Sequence, residues 1–448
     1  MQSRRRSRML RHVSLIAGAA IVAAGLAACS TDAGADTGAV TEEDIQAALD
    51  EESTLTIWSW SGSLPDVAAA FEEKYPKITV KVENVGTGAD HYTKLQNAIK
   101  AGKGAPDLAT VEYNAIPQFA LTDSLVDLNQ FGFGELESEF TPATWGSVNV
   151  GEGLYELPLN AGPMALFYNA TSFEKYGIEV PTTWDEFLEA ARAFRAADPN
   201  AYIAADTGNT GLTESLIWAA GGNPFQVDGE NVTIDLADEG SVKFSEFYQQ
   251  LLDEDLLAPI ASWSTEWYDG LASGNIATLL SGAWMAGTLK SGVPDGVGQW
   301  RVAPLPTYEA GEQSSSVNGG GSFAMLEQSE NKLVAAAFQR FVSLEEGADI
   351  TLASGSFPAR SSVLESEEFL ATGDEFFGGQ EINQVFVESL DAVREGWQFL
   401  PYEVYAGAIF NDTVGKAFVG ETSLQDGLLA WQEALVEYGD EQGFTVNR

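Results

Sequence analysis

Apolar residues recur along the chain in short runs whose period switches between two and 3.6, the signature of alternating strands and helices. In "TLTIWSW", Leu55, Ile57, Trp58 and Trp60 make a strand. Ser63-Leu64-Pro65-Asp66 marks a helix start, with proline and an acid in the first turn. Val67, Ala70, Phe71 and Lys74 follow at helical spacing, and Pro76 stops the helix. "ITVKVENV" reads as a second strand, "DHYTKLQNAIKAGKG" as a second helix closed by glycine, and "APDLATVEY" as a third strand. This alternation predicts a parallel α/β sheet.

The pattern then changes. "YELPLNAGPMALFYN" is extended but broken at Asn160, Gly162 and Pro163, so two strand-like halves are expected to meet there. "VPTTWDEFLEAARAFRAAD" is a helix with Pro181 and Thr183 at its start and Phe187, Leu188, Ala191 and Phe194 on one face. "SGNIATLLSGAW" is a strand ending at Trp284. "VAPLPTY" and "NGGGSFAML" are extended, "NKLVAAAFQRFVSL" is helical, and the remainder is mostly helical to about Tyr438.

The N-terminus stands apart. Arg4, Arg5, Arg6, Arg8 and Arg11 precede an apolar, small-residue run from Val13 to Ala28, which reads as a secretory signal peptide. The run is short for a bilayer span, which takes about 20 apolar residues. Ser30 to about Val40 is small, polar and aperiodic, a flexible tether, and Thr41-Glu42-Glu43-Asp44 opens a short helix to about Asp50.

Composition removes several functions. The chain of 448 residues carries 66 acidic and 23 basic residues, a net charge of −43. That excludes nucleic acid and anionic headgroups as partners, because phosphate binding needs clustered Lys and Arg. Cys29 is the only cysteine, so no intramolecular disulfide forms. His12 and His91 are the only histidines, which rules out a histidine-rich metal site. There is no P-loop or dinucleotide fingerprint, and nothing calls for a cofactor. Whether calcium occupies an acidic loop stays open.

Leu26-Ala27-Ala28-Cys29 resembles the lipobox of bacterial lipoproteins, where the cysteine becomes the mature N-terminus and its sulfur carries a diacylglycerol. Ser3-Arg4-Arg5 leaves a twin-arginine export route open beside the general one. "IWSW", "PDLATVEY", "ELPLNAGPMALFYNATSFEKYGI" with "PTTWDEF", "SGNIATLLSGAW" and "VNGGGSF" follow in an order that resembles the family 1 extracellular solute-binding proteins of ABC importers. These are sugar-binding lipoproteins similar to maltose-binding protein, and the resemblance covers roughly residues 55–446. It implies an α/β, two-lobed periplasmic-binding-protein type II fold with a hinge and an interlobe cleft. The implied division is a signal peptide (1–28), a lipidated N-terminus and tether (29–52), a first lobe (53–160 and 320–362) and a second lobe (163–318 and 365–448). The implied function is capture of a di- or oligosaccharide and its delivery to permease subunits served by a separate ATPase. The protein would be a monomer, held to the outer face of the cell membrane through Cys29, and not an enzyme.

A sugar presents flat C–H faces and a rim of hydroxyls, so its site needs aromatic plates and polar side chains at strand ends. Trp60 and Ser61 end the first strand on the cleft side, with Trp58 in the core. Trp267 either lines the cleft with Glu266 or starts a helix. Asn318, Gly319 and Gly320 suit a hinge strand that donates from its backbone, and Arg360 pairs either with an acid or with a sugar hydroxyl. Asn209 and Thr210 face the cleft by position, while Glu214 and Trp218 lie four apart on one helix face. The resemblance adds Glu112, Tyr113 and Asn114 as polar contacts, Asn160 and Gly162 at the first hinge crossing, Trp284 as the stacking tryptophan, and Tyr402 and Tyr405, with Trp397, as aromatics closing over the ligand. Gly162-Pro163-Met164 lacks the acid that some maltose binders carry there, which counts against maltose. The alternatives are a binding protein for another small solute such as a polyamine, or a secreted glycoside hydrolase with two carboxylates about 5 to 10 Å apart.

Overall fold

The computed structural model describes residues 40–448. The leader, Cys29 and almost all of the tether lie outside the described residues.

Helix α1 (Glu42–Leu49) begins with a capping box in which Thr41 and Asp44 satisfy each other's backbone N–H groups. Its Ile45 and Leu49 are buried in the first core, and Arg340 grips Glu42 with both terminal nitrogens at 2.6 Å. Among the described residues the first core thus reaches back before residue 53, because this helix has an apolar stripe that the core covers.

Strand β1 (Ser53–Trp58), α2 (Leu64–Lys74), β2 (Ile78–Glu83), α3 (Gly88–Ala101) and β3 (Leu108–Glu112) follow the expected alternation. β1 pairs in parallel with both β2 and β3. Leu55, Ile57, Phe71, Leu108 and Val111 pack from these elements into one core with Phe338 and Phe341 of the later helix α5 (Lys332–Leu344). Trp58, expected in that core, is only half-buried, with its indole N–H donated to Glu83 at the sheet's edge.

The chain leaves this lobe along β4 (Asn160–Asn169), which is one unbroken ten-residue strand and not two halves. Its first half pairs with β7 (Val317–Met325), and its second half lies between β5 (Thr278–Gly282) and β6 (Trp300–Pro304), all antiparallel. Pro163 does not interrupt it because its partner, Val317, sits where β7 is bulged and demands no donor. The other half of β7 pairs with β3, so β4 and β7 both cross between lobes.

The second lobe has its own apolar interior. Thr183 and Glu186 form a capping box at the start of helix Trp184–Ala197, whose Phe187, Ala191 and Phe194 are buried beside Ile217, Phe225 and Trp431. Helix α4 (Thr210–Ala219) is capped by Asn209, and α6 (Glu403–Ile409) and α7 (Leu424–Gln442) complete this side. A third cluster, holding Phe167, Trp267, Trp300, Phe377 and Phe386, backs the other face of β4.

The crossing is tight. A Cβ on Gly162 would fall well inside contact distance of the Asn318 carbonyl oxygen. A Gly162→Ala change should therefore destabilise the protein by about 2 kcal/mol or more in urea unfolding. Gly146→Ala serves as the control, since its Cβ would meet no atom within 4 Å and helical Gly→Ala gains about 0.5 to 1 kcal/mol. Equal stabilities for the two variants would contradict the packing argument.

Candidate ligand-binding cleft

A cavity of about 680 Å³ opens where the ends of β1 and β3 face α4 and the start of β7. Open α/β sheets leave such space at the carboxyl ends of their strands.

Trp60 and Ser61, just after β1, form part of one wall with Glu112, Tyr113 and Asn114 at the end of β3. Trp60 is held by two rings meeting it edge-on, His91 at 4.8 Å and Tyr92 at 6.2 Å between centroids. His91 is fully buried, neither ring nitrogen has a hydrogen-bond partner, and burial pushes its pKa down, so it serves this wall as a neutral ring. The Tyr92 hydroxyl donates to Glu112 Oε2 at 2.9 Å, and the Tyr113 hydroxyl donates to the Asn160 carbonyl at 2.7 Å.

The floor is the crossing itself. Asn160 Oδ1 accepts from the Gly321 N–H at 3.0 Å, and Trp284 Nε1 donates to the Asn318 carbonyl at 2.8 Å. Gly319 and Gly320 have φ of +76° and +97°, which L side chains rarely adopt. A Cβ on Gly320 would also come within 2.8 Å of the Tyr113 ring.

The opposite wall is α4 and the segment before α6. Asn209, Glu214, Ser215 and Trp218 line it, and the Trp397 ring stacks on Trp218 at 5.2 Å and 9°. Trp218 Nε1 donates to the Arg394 carbonyl at 2.7 Å, whereas Trp397 Nε1 is buried without a partner. Among the described residues, Glu112 and Glu214 are the only acids on the cavity surface, and no Lys or Arg lines it. Burial pushes both upward in pKa, Glu214 the further of the two, with the charge of Glu403 adding to it.

The cavity brings together Trp60, Ser61, Glu112, Tyr113, Asn114, Asn160, Asn209, Trp284, Asn318, Gly319 and Gly320. Five expected residues lie elsewhere. Gly162 packs its missing side chain against the Asn318 carbonyl beneath the floor. Trp267 is the helix start of the two alternatives: its N–H is capped by Ser264 and its ring is 2 % exposed. Arg360 borders a small separate depression, and among the described residues it has no carboxylate partner. Tyr402 is buried against Tyr438 and Phe444, and Tyr405 stacks on Tyr438 at 3.6 Å. Both tyrosines thus serve packing on α7.

Glu214, Trp218 and Trp397 line the cavity as well. Ser147, Thr351, Ser354, Ser356 and Phe357 also reach it, and nothing in the sequence marked them. Ser356 and Phe357 adjoin Pro358, which bridges to Asn160. Among the described residues no group of three His, Cys, Asp or Glu side chains is placed to hold a metal ion.

With that geometry in place, the class is settled. Residues 58–349 match the model of the bacterial extracellular solute-binding protein family, and the chain belongs to that family. It is similar to the ABC transporter associated binding protein of B. animalis subsp. lactis Bl-04, solved in complex with beta-1,6-galactobiose: 41% identity, TM-score 0.82, covering 89% of this chain and 100% of that one. The galacto-N-biose-/lacto-N-biose I-binding protein of Bifidobacterium longum, solved with lacto-N-biose, is 27% identical with a TM-score of 0.76, covering 88% of this chain and 98% of that one. An arabinooligosaccharide-binding protein of Halalkalibacterium halodurans is 23% identical over 80% of this chain and 82% of its own length. The fold is the two-lobed type II arrangement, and among the described residues no helix is long and apolar enough to cross a membrane.

One titration follows from the packing behind the first wall. Glu156 is fully buried, neither carboxyl oxygen has a hydrogen-bond partner, and the nearby Ser322 backbone offsets little of the burial cost. Its pKa is pushed well up, so its contribution to stability is present below the ordinary carboxylate range and is lost as pH rises through its own raised value. The stability of Glu156→Gln relative to the parent should therefore grow between about pH 5 and about pH 8. Thermal melts across that range check this, and a constant difference would contradict it.

Proposed function

We propose that this chain is the substrate-binding protein of an ABC sugar importer, capturing a di- or oligosaccharide in the cleft and handing it to membrane permease subunits driven by a separate ATPase. The observation that carries the reading is the gathering of four tryptophans on one cavity, Trp60, Trp284 and the stacked Trp218 and Trp397, with small polar side chains and glycine backbone beside them. Flat aromatic faces take the C–H faces of sugar rings, and the amides, hydroxyls and backbone groups take the hydroxyls. In this reading the contacts are Trp60, Ser61, Glu112, Tyr113, Asn114, Asn160, Asn209, Trp284 and Asn318–Gly320. The relative solved with beta-1,6-galactobiose makes a galactose disaccharide the first ligand to try.

We take the first lobe as the part before β4 plus the segment from β7 to about residue 362, and the second lobe as the rest. Ligand touching both favours closure by its extra affinity for the closed form. The exported chain is a monomer tethered through a lipid on Cys29, since two or three acyl chains anchor firmly at about 0.8 kcal/mol per buried CH₂. A polyamine reading has less support, because burial holds the cleft carboxyls toward their neutral forms. A hydrolase reading also has less support, since Glu112 is engaged by Tyr92 and Glu214 by Glu403.

Calorimetric titration with β-1,6-galactobiose and with spermidine tests the reading. Sugar binding without spermidine binding, with intact sugar recovered, is expected. Trp284→Ala should weaken that binding by roughly 1 to 3 kcal/mol through lost stacking and apolar burial. Binding of spermidine alone, or recovery of shortened sugar, would overturn it. Cys29→Ala should move the protein from the membrane fraction to the soluble fraction in the producing cell, and unchanged fractionation would remove the lipid anchor.

A further inference from the structure

Two acids meet behind the second wall of the cleft. Glu214 projects from α4 and lines the cavity, and Glu403 is the first residue of α6, outside the cavity. Both are 4 % exposed. Helices α4 and α6 are in contact, and each acid acts on the other as a charged neighbour. Glu214 Oε1 and Glu403 Oε2 are buried without a donor from any other group. Two carboxylates cannot bond without a proton between them, and burying two unpaired negative charges together is costly.

The surroundings supply no counter-charge. α3 carries His91, Tyr92 and Lys94, and the turn after β3 carries Tyr113. The helix Glu239–Asp253 carries Lys243 and Tyr248, while Tyr402 precedes α6, and Tyr438 and Asp440 lie on α7. Lys94 is bound to the Val85 carbonyl, Lys243 pairs with Glu239, Tyr92 with Glu112, Tyr113 with Asn160 and Tyr248 with Asp206. Among the described residues, none of these groups is hydrogen-bonded or ion-paired to either carboxyl. The pair also sits at a joint. The N–H of Val404, next to Glu403, donates to Gln118 Oε1 of the first lobe at 3.2 Å, and Val404 packs against the first lobe's core.

We propose that Glu214 and Glu403 share a proton, that Glu403 acts as a positioning residue holding Glu214 toward a ligand hydroxyl, and that ligand capture draws a proton onto the pair. The idea rests on the cleft being a sugar site. A sugar that displaces cleft water deepens the desolvation of Glu214, which lines the cavity, and so favours the protonated form of the pair. Glu403 is already pushed up to about 7, and Glu214 is pushed well above the ordinary range, each chiefly by burial. The sign follows: the proton is bound more tightly in the liganded state, so affinity falls as pH rises above neutrality. The same shared proton leaves this wall with at most one negative charge near neutral pH, a surface suited to neutral hydroxyl-rich ligands over cationic ones.

The test is titration calorimetry of the full exported chain with β-1,6-galactobiose, in buffers of different ionisation enthalpy, from about pH 6 to about pH 9. The parent should take up a fraction of a proton per sugar bound and lose affinity several-fold toward the alkaline end. In Glu403→Gln the amide donates to Glu214 without a shared proton, so the uptake and the alkaline loss should largely disappear. Glu214→Gln should abolish the uptake as well and lower affinity through the changed contact. A flat parent profile without proton uptake, or identical uptake in Glu403→Gln, would overturn the proposal. A readout on the unliganded protein separates this from the sugar reading. The infrared band of protonated carboxyls at neutral pH should be smaller in Glu403→Gln than in the parent. An unchanged band would overturn the shared proton. A reduced band with no sugar bound would support the pair and discard the sugar reading instead.

Discussion

The carbonyl oxygen of Asn318 is the point on which the cleft depends. Three groups converge on it: the bare Cα faces of Gly162 and Gly282, where a Cβ would collide with it, and the indole N–H of Trp284, which donates to it. One strand crossing therefore sets two things together. It fixes how closely β4, β5 and β7 approach, and it orients the Trp284 ring on the cavity surface. Backbone can come this near only where side chains are missing, which is why glycines gather at the crossing. Gly319 and Gly320 then turn the chain with positive φ so that the floor stays open beneath Trp60 and Tyr113.

The acid-rich composition divides into two populations with different physics. Most carboxylates are solvated, and several are spent on caps and ion pairs such as Thr183–Glu186 and Arg340–Glu42. A few are pushed upward by desolvation: Glu156, Glu214 and Glu403 are buried, and Glu112 and Asp206 partly so. Their burial shifts these groups toward protonation, while the whole chain carries −43. The solvated majority of the acids carries the charge that favours solubility, away from the cavity surface.

Much of the architecture was legible because it rests on periodicity. β1 to β3, their helices and the helix after Thr183 carry clean apolar patterns and start signals, and each forms as read. The crossing was legible in place but not in form. Pro163 reads as a break, and only the bulge in β7, a property of the partner strand, lets β4 run through it. At the cleft, the residues expected at strand ends and glycine turns line the cavity, since those positions are marked locally. Tyr402 and Tyr405 misled because an aromatic residue looks the same whether it faces ligand or α7. Ser147, Thr351 and Ser354 were invisible for the opposite reason: small polar residues in helical context carry no signal until the fold brings them to the cavity.

The most direct test of the account is a crystal structure of the exported chain grown with β-1,6-galactobiose. The account predicts sugar in the cavity, one ring flat against the Trp284 indole, with Trp60 drawn toward it from the other lobe and the Trp284–Asn318 hydrogen bond intact. Density for sugar away from this cleft, or in it with the Trp284 face turned from every ring, would contradict it.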